Sequence, residues 1–191
     1  MNESVLIEVK KLEKITCLLC GKEDVDFSVG KHDCPSCGAS SRERLLFYYG
    51  TNMTSLFQQP VRMWHISPEE RLSFVIRTHL KNIRYSPTDH NKLSKYPYFD
   101  LTVPNNEKNL FDIIICSHIL EHINDDKQAI KNLFQLLDVY GLALLIVPLS
   151  DGDETKEFDE LDESGHFRLY GRADFVKRMF DGGFSDVLPV Q

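Results

Sequence analysis

The chain of 191 residues has no apolar run long enough to cross a membrane. Its longest runs, around 113–116 and 142–149, fall well short of the roughly 18–20 residues a spanning helix needs. It also lacks a basic excess. With 22 Lys and Arg against 29 Asp and Glu, the formal net charge is −7, which excludes a basic protein that coats nucleic acid. A hydrophobic content of 42% excludes a disordered chain. The opening MNESVLIEVKK carries acids early and lacks the basic-then-apolar order of a secretory leader, so a cytoplasmic protein with no membrane contact is expected. The length suits one sizeable core with at most a small appendage.

The charge is unevenly placed. Eight acidic residues and one basic residue, Lys156, lie between Asp151 and Glu163, so this window carries the whole net charge. A solvated loop and an acidic lid over a site are the two readings.

Four of the five cysteines form two pairs, Cys17-Leu18-Leu19-Cys20 and Cys34-Pro35-Ser36-Cys37, each followed by glycine, Gly21 and Gly38. Two residues between cysteines let both sulfurs of a tight turn reach one ion, and four thiolates complete a closed tetrahedral zinc site. Disulfides compete, but a cytoplasmic chain disfavours them. The thirteen residues from Gly21 to Asp33 suit one short β-excursion, so residues 1–39 read as a zinc ribbon stapled by its metal. With four cysteine ligands the ion has no open position, and its role is structural or one of recognition. Seven basic and eight acidic residues over 1–59 give nucleic-acid binding little support.

A helix is expected in the linking segment 40–59, where Ser40 and Glu43 form a capping-box pattern and Leu45, Leu46 and Tyr49 share a face. Arg42 and Arg44 read as solvated, with an anionic substrate as the alternative. From 60 to 191 short apolar runs alternate with helical patterns. Strands are expected at 61–66, 83–86, 111–117, 142–148 and 184–190. Helices are expected at 69–80, 119–137 (mainly helix) and 175–181. Such alternation argues for an α/β fold, a parallel sheet with helices on both faces. Ligands of such sheets bind outside the carboxyl ends of the strands, where the polar residues cluster here. Asp89 follows the first strand's end by about twenty residues, the distance at which an acidic side chain meets ribose hydroxyls. Asp100-Leu101-Thr102 offers a second carboxylate, and the isoleucine-rich strand ends in Cys116-Ser117-His118-Ile119-Leu120-Glu121-His122.

The run from Phe111 to Ile123, followed by Asp125-Asp126, Ala129 and the Val139-Tyr140-Gly141 turn, resembles the later half of the nucleoside site of class I S-adenosylmethionine-dependent methyltransferases. More narrowly, the chain is similar to a bacterial subgroup with four features. These are a CxxC ribbon, an HxxPE sequence (His65-Ile66-Ser67-Pro68-Glu69), an SHxLEH turn (Ser117–His122) and an HxRxYG segment (His166-Phe167-Arg168-Leu169-Tyr170-Gly171). The resemblance covers about residues 17–186. It implies a Rossmann-like methyltransferase sheet and an S-adenosylmethionine cofactor held by His65, Ser67, Glu69, Asp89, Asp100, Leu101, Cys116 and Ser117. Two departures stand out. The family's glycine-rich turn after the first strand has no counterpart, since no glycine occurs between Gly50 and Gly141, so His65, Ser67 and Glu69 must serve instead. The family's seventh, antiparallel strand is expected to be absent.

On a helix, His118, Glu121 and His122 would share a face, and His166 is a fourth candidate. A comparable Glu/His group holds a divalent cation in some O-methyltransferases. Three imidazoles and a carboxylate would favour zinc, iron, nickel or manganese over magnesium. His118 acting directly as a base, or a purely structural use of the group, are the alternatives. Cys116 reads mainly as packing and Trp64 as a core aromatic, with adenine stacking the alternative. Arg168 and Tyr170 read as acceptor contacts or as helix-entry structure.

The leading expectation is therefore methylation of a small-molecule or sugar hydroxyl, with metal help as an option. A catalytically inactive, zinc-binding interaction module is the alternative, and a nucleic-acid methyltransferase ranks third. Fold and cofactor do not identify the acceptor or the oligomeric state.

Overall fold

The computed structural model describes residues 15–27, 32–104 and 106–189. The amino-terminal stretch 1–14, the middle of the expected β-excursion at 28–31, and Val190 lie outside the described residues.

Four parallel strands form the sheet: β1 (Val61–Ile66), β2 (Ile83–Thr88), β3 (Phe111–Ser117) and β4 (Leu137–Ile146), in the spatial order β2-β1-β3-β4. β1 and β3 are central and buried on both faces, which is why they read as near-continuous apolar runs. Ile113, Ile114 and Ile115 are wholly buried, each contributing about 1.5–3 kcal/mol of burial. Helix α2 (Glu70–His79) joins β1 to β2, and helix α3 (Asp126–Leu136) joins β3 to β4. Leu72, Val75 and Ile76 of α2 pack on one face of the sheet. Ala129, Ile130, Leu133 and Leu136 of α3 pack on the other.

Helix α1 (Ser41–Tyr48) starts at the predicted capping box. Its Glu43 does more than close that box. One carboxylate oxygen accepts from the Ser40 amide and hydroxyl, and the other accepts from the amides of Arg71 and Leu72, both at 3.0 Å. A single buried side chain thus caps α1 and satisfies two of the free amides that begin α2. Arg44, expected in solvent, donates to the carbonyls of Ala39 and His32 and stacks over Phe27. It thereby fastens the cysteine-rich segment. Leu19 and Val25 of that segment share a core with Met63 and Leu72.

Three expected elements differ. The stretch 119–137 is not one helix. A 3₁₀ turn, Leu120–His122, comes first, and α3 begins only after Asp125, whose side chain caps the Gln128 amide. Strand β4 starts five residues earlier than expected and absorbs the Val139-Tyr140-Gly141 turn as an irregularity, with Tyr140 at φ +65°. Residues 184–189 form no strand. They follow helix α4 (Arg172–Gly182), which ends at Gly183 with φ +114°, and they line a cavity of about 1260 Å³ along β4 and α4. Among the described residues no helix is long and apolar enough to cross a membrane.

The opposite, amino-terminal end of the sheet is closed by Arg62. It pairs with Asp112 at 2.6 Å and also with Asp138, linking β1, β3 and β4. The Arg62 hydrogen bond holds the Asp112 carboxyl below its ordinary value.

Candidate functional site

The strand order reverses between β1 and β3, so the crevice outside their carboxyl ends is where this architecture takes ligands. Each strand ends in a non-glycine residue held in the left-handed region, Ser67 at φ +46° and His118 at φ +54°. Such backbone persists only where its surroundings enforce it. The Ser67 amide donates to Thr88 on β2 (2.7 Å) and the His118 amide to Ile146 on β4 (2.8 Å), so both turns stay tied to their neighbouring strands. Serine thus makes the sharp exit that glycine makes elsewhere in the resembled family.

Tethers from side chains fix the first turn. The Ser67 hydroxyl donates to Asp89 (2.8 Å) and lies 2.7 Å from Nδ1 of His90. Burial pushes the Asp89 carboxyl up, but the Asn91 amide and the Ser94 and Ser67 hydroxyls outweigh it and hold it low. His65 is wholly buried between the Tyr85 hydroxyl and Glu69, each 3.0 Å from a ring nitrogen. Burial also pushes Glu69 up, and again the neighbours win, with the His65 contact first among them. Arg42 approaches the other Glu69 oxygen at 3.5 Å.

Among the described residues, five buried side-chain polar atoms lack a hydrogen-bond partner. Four are acceptor-capable oxygens at the ends of β1 and β3: Oε1 of Glu69, Oγ of Ser117 and both carboxylate oxygens of Glu121. Orphaned buried acceptors are costly, and their concentration at the crevice calls for donors that a ligand would bring.

At the end of β3, Nδ1 of His118 lies 3.0 Å from Oε1 of the wholly buried Glu121, although the ring N–H does not point along the contact. The expected convergence of four residues is corrected in one respect. His118 precedes the 3₁₀ turn and meets Glu121 alone, whereas the potential ligand atoms of Glu121, His122 and His166 lie within 4.8 Å of one another. Asp162, from the acidic segment, accepts from Nδ1 of His166 at 3.0 Å.

Several predicted contacts belong to the scaffold. Arg168 is buried and spends four of its five N–H donors on the carbonyls of Leu120, Ile123 and Asn124 and on Glu157, which makes it part of the scaffold. Tyr170 is wholly buried with its hydroxyl on Asp126. Both brace the loop after β3 against the antiparallel pair β5 (Lys156–Glu157) and β6 (Arg168–Leu169). Cys116 packs in the core, where burial raises its thiol, and does not line the crevice. Trp64 also stays in the core, stacked on Phe111 with its indole N–H on Thr88. Asp100 binds its own turn through Thr102. Leu101 is buried beneath it, its carbonyl held by Asn132. Sequence reasoning missed His90 and Asp162, although Asp162 stands four residues before His166.

The four paired cysteines converge as expected. Cys17 and Cys37 have sulfurs 3.9 Å apart, as do Cys20 and Cys34, and all four lie within 4.8 Å. A tetrahedron of sulfurs about 2.3 Å from a central zinc has edges of about 3.8 Å, so the spacing fits zinc and not disulfides. Gly21 (φ +69°) and Gly38 (φ +73°) turn the chain out of each knuckle. Burial raises the Cys17 thiol and pushes Cys37 up to about 12, whereas at Cys34 burial is outweighed by the amides of Cys37 and Ser36, which draw it down to about 7.

A family model described as a methyltransferase domain matches residues 40–188. No curated protein matches the chain. Among solved structures, a Burkholderia thailandensis 1,6-didemethyltoxoflavin-N1-methyltransferase with bound S-adenosylhomocysteine is similar at TM-score 0.57 and 11% identity. That match covers 78% of this chain and 68% of that one. A Haemonchus contortus phosphoethanolamine N-methyltransferase 2 in complex with S-adenosyl-L-methionine matches at 0.52 and 15%, covering 78% and 38%. The YcgJ protein of Bacillus subtilis matches at 0.51 and 14%, covering 65% and 62%. The chain thus spans under two thirds of the length of the last two. At these identities the likeness establishes the fold and nothing finer.

Proposed function

The chain belongs to the methyltransferase-domain family, and on that premise we propose that it binds S-adenosylmethionine at the β1–β3 crevice and methylates a hydroxyl of a small molecule or sugar. The observation that carries this reading is the cluster of buried oxygens short of hydrogen-bond donors beside the two left-handed turns. Glu69 and Ser117 suit the cofactor's ammonium group, and Asp89 suits its ribose hydroxyls. When bound, the cofactor would supply a methyl group on a sulfonium, an electrophile that needs only an aligned, deprotonated acceptor.

The chain's own residues would provide that alignment. His118 is about one third exposed at the mouth of β3, beside the buried Glu121, where its imidazole would take a proton from the acceptor. The acidic segment rims the same end of the sheet. Asp162 and Glu157 are engaged with His166, Arg168 and Arg178, and the remaining acids disfavour a phosphate-rich acceptor such as nucleic acid. Zinc at the four cysteines would hold the cysteine-rich segment on the sheet.

Calorimetric titration with S-adenosylhomocysteine tests the reading. Micromolar binding that survives His118→Ala, with methyl transfer by that variant reduced about 10²–10⁴-fold, is expected. No heat and no thermal shift with the wild-type chain would overturn it.

A further inference from the structure

We infer that Glu121, His122 and His166 form a second metal site, for a transition-metal dication such as zinc, iron(II) or manganese(II), distinct from the four-cysteine site. The tautomers support this. Nδ1 of His122 lies 2.9 Å from the Gly165 carbonyl, which can only accept, so Nδ1 carries the proton and Nε2 the free lone pair. Nδ1 of His166 faces the Asp162 carboxylate with the same result. A histidine whose far nitrogen is fixed by a carbonyl or a carboxylate is oriented as metal-bound histidines are.

Glu121 supplies the second, independent observation. Its side chain is wholly buried and neither carboxylate oxygen has a hydrogen bond. A buried carboxylate whose nearest donor, Nδ1 of His118 at 3.0 Å, makes no hydrogen bond to it is strongly disfavoured, and a cation at the adjacent imidazoles would compensate it. The three ligands sit on two segments that are locked together. The Glu121 carbonyl accepts from the Phe167 amide, and Arg168 ties the 120–124 loop to β6. Two imidazoles and one carboxylate leave coordination positions open, unlike the closed cysteine site, and favour a borderline transition metal over magnesium or calcium. Resting on the methyl-transfer reading, the open positions would take the acceptor's oxygen and lower its pKa beside His118.

Untagged protein carrying its cysteine-bound zinc is titrated with manganese(II), following free ion by electron paramagnetic resonance, and with zinc, following metal content. One further ion per chain is expected. His166→Ala should lose that ion while keeping the cysteine zinc. Asp162→Asn should weaken its binding about 10–100-fold. Glu121→Gln should lose the ion and yet raise the unfolding temperature of the protein lacking it, a sign opposite to that of a merely structural glutamate. A wild-type chain holding no metal beyond the cysteine zinc overturns the site, as does a second ion retained by both His122→Ala and His166→Ala. S-adenosylhomocysteine titration of the same preparations separates the two readings, because either ligand can bind while the other fails.

Discussion

Ser67 donates its hydroxyl hydrogen to Asp89 across 2.8 Å, joining the turns that leave β1 and β2. Ser67 also holds a left-handed backbone that costs a side chain about 1–2 kcal/mol. Ser67→Ala and Ser67→Gly both lose the tether, and each should weaken S-adenosylhomocysteine binding about tenfold. Asp89→Ala should abolish it. Only glycine relieves the backbone, so urea unfolding should find Ser67→Gly more stable than Ser67→Ala by about 1 kcal/mol. Equal stability would show that the turn is unstrained.

Glu43 joins two helices through four accepted hydrogen bonds. Glu43→Ala leaves buried amides of α2 without a partner and should cost about 3 kcal/mol in denaturant unfolding. Glu43→Gln keeps the shape but can accept on only one side, so a loss near half that size is expected. Ordinary surface behaviour, within about 0.5 kcal/mol for both, would contradict the double cap.

Asp112 supports the amino-terminal end of the sheet, far from the crevice. Because the Arg62 hydrogen bond lowers its folded-state value, its contribution is fully present above the ordinary value of 3.8 and disappears as pH falls through the folded value. Asp112→Asn should therefore destabilise by about 1 kcal/mol at pH 7. The difference from wild type should close below pH 3.8, and cofactor binding should be unchanged. A pH-independent difference would mean that packing, not charge, is lost.

Zinc removal should be felt by the sheet. Cys17, Leu19, Val25 and Cys34 share one core cluster with Met63 and Leu72. A strong chelator or Cys34→Ser should remove the metal and lower the unfolding temperature of the whole chain by several degrees. Zinc loss that leaves the unfolding temperature where it was would show that the cysteine-rich segment is a passenger.

Local patterns were readable wherever one residue type and one spacing suffice. The cysteine pairs, the continuous apolar runs of β1 and β3, and the Ser40–Glu43 box all appear as expected. The break inside 119–137 was readable too, because Asp125 followed three residues later by Gln128 marks a helix start. Partners distant in sequence were not. Arg168 looked like an acceptor contact because a charge in a sequence does not reveal which side of it is buried. Its partners, three carbonyls 44–48 residues away, exist only once the loop has folded onto β6.

By itself the sequence determined the cysteine pairs, the parallel α/β order and the polar residues that end each strand, since these follow from spacing and local burial preference. Tertiary structure decided which of those polar residues stay at the crevice and which are spent on the scaffold. It withdrew Arg168, Tyr170 and Cys116 into the scaffold, set His118 apart from His122, and brought Asp162 and Gly165 behind two imidazoles. The reason is physical. A hydrogen bond or a buried charge depends on direction and on exclusion of water, and both arise only when segments far apart in the chain are packed together.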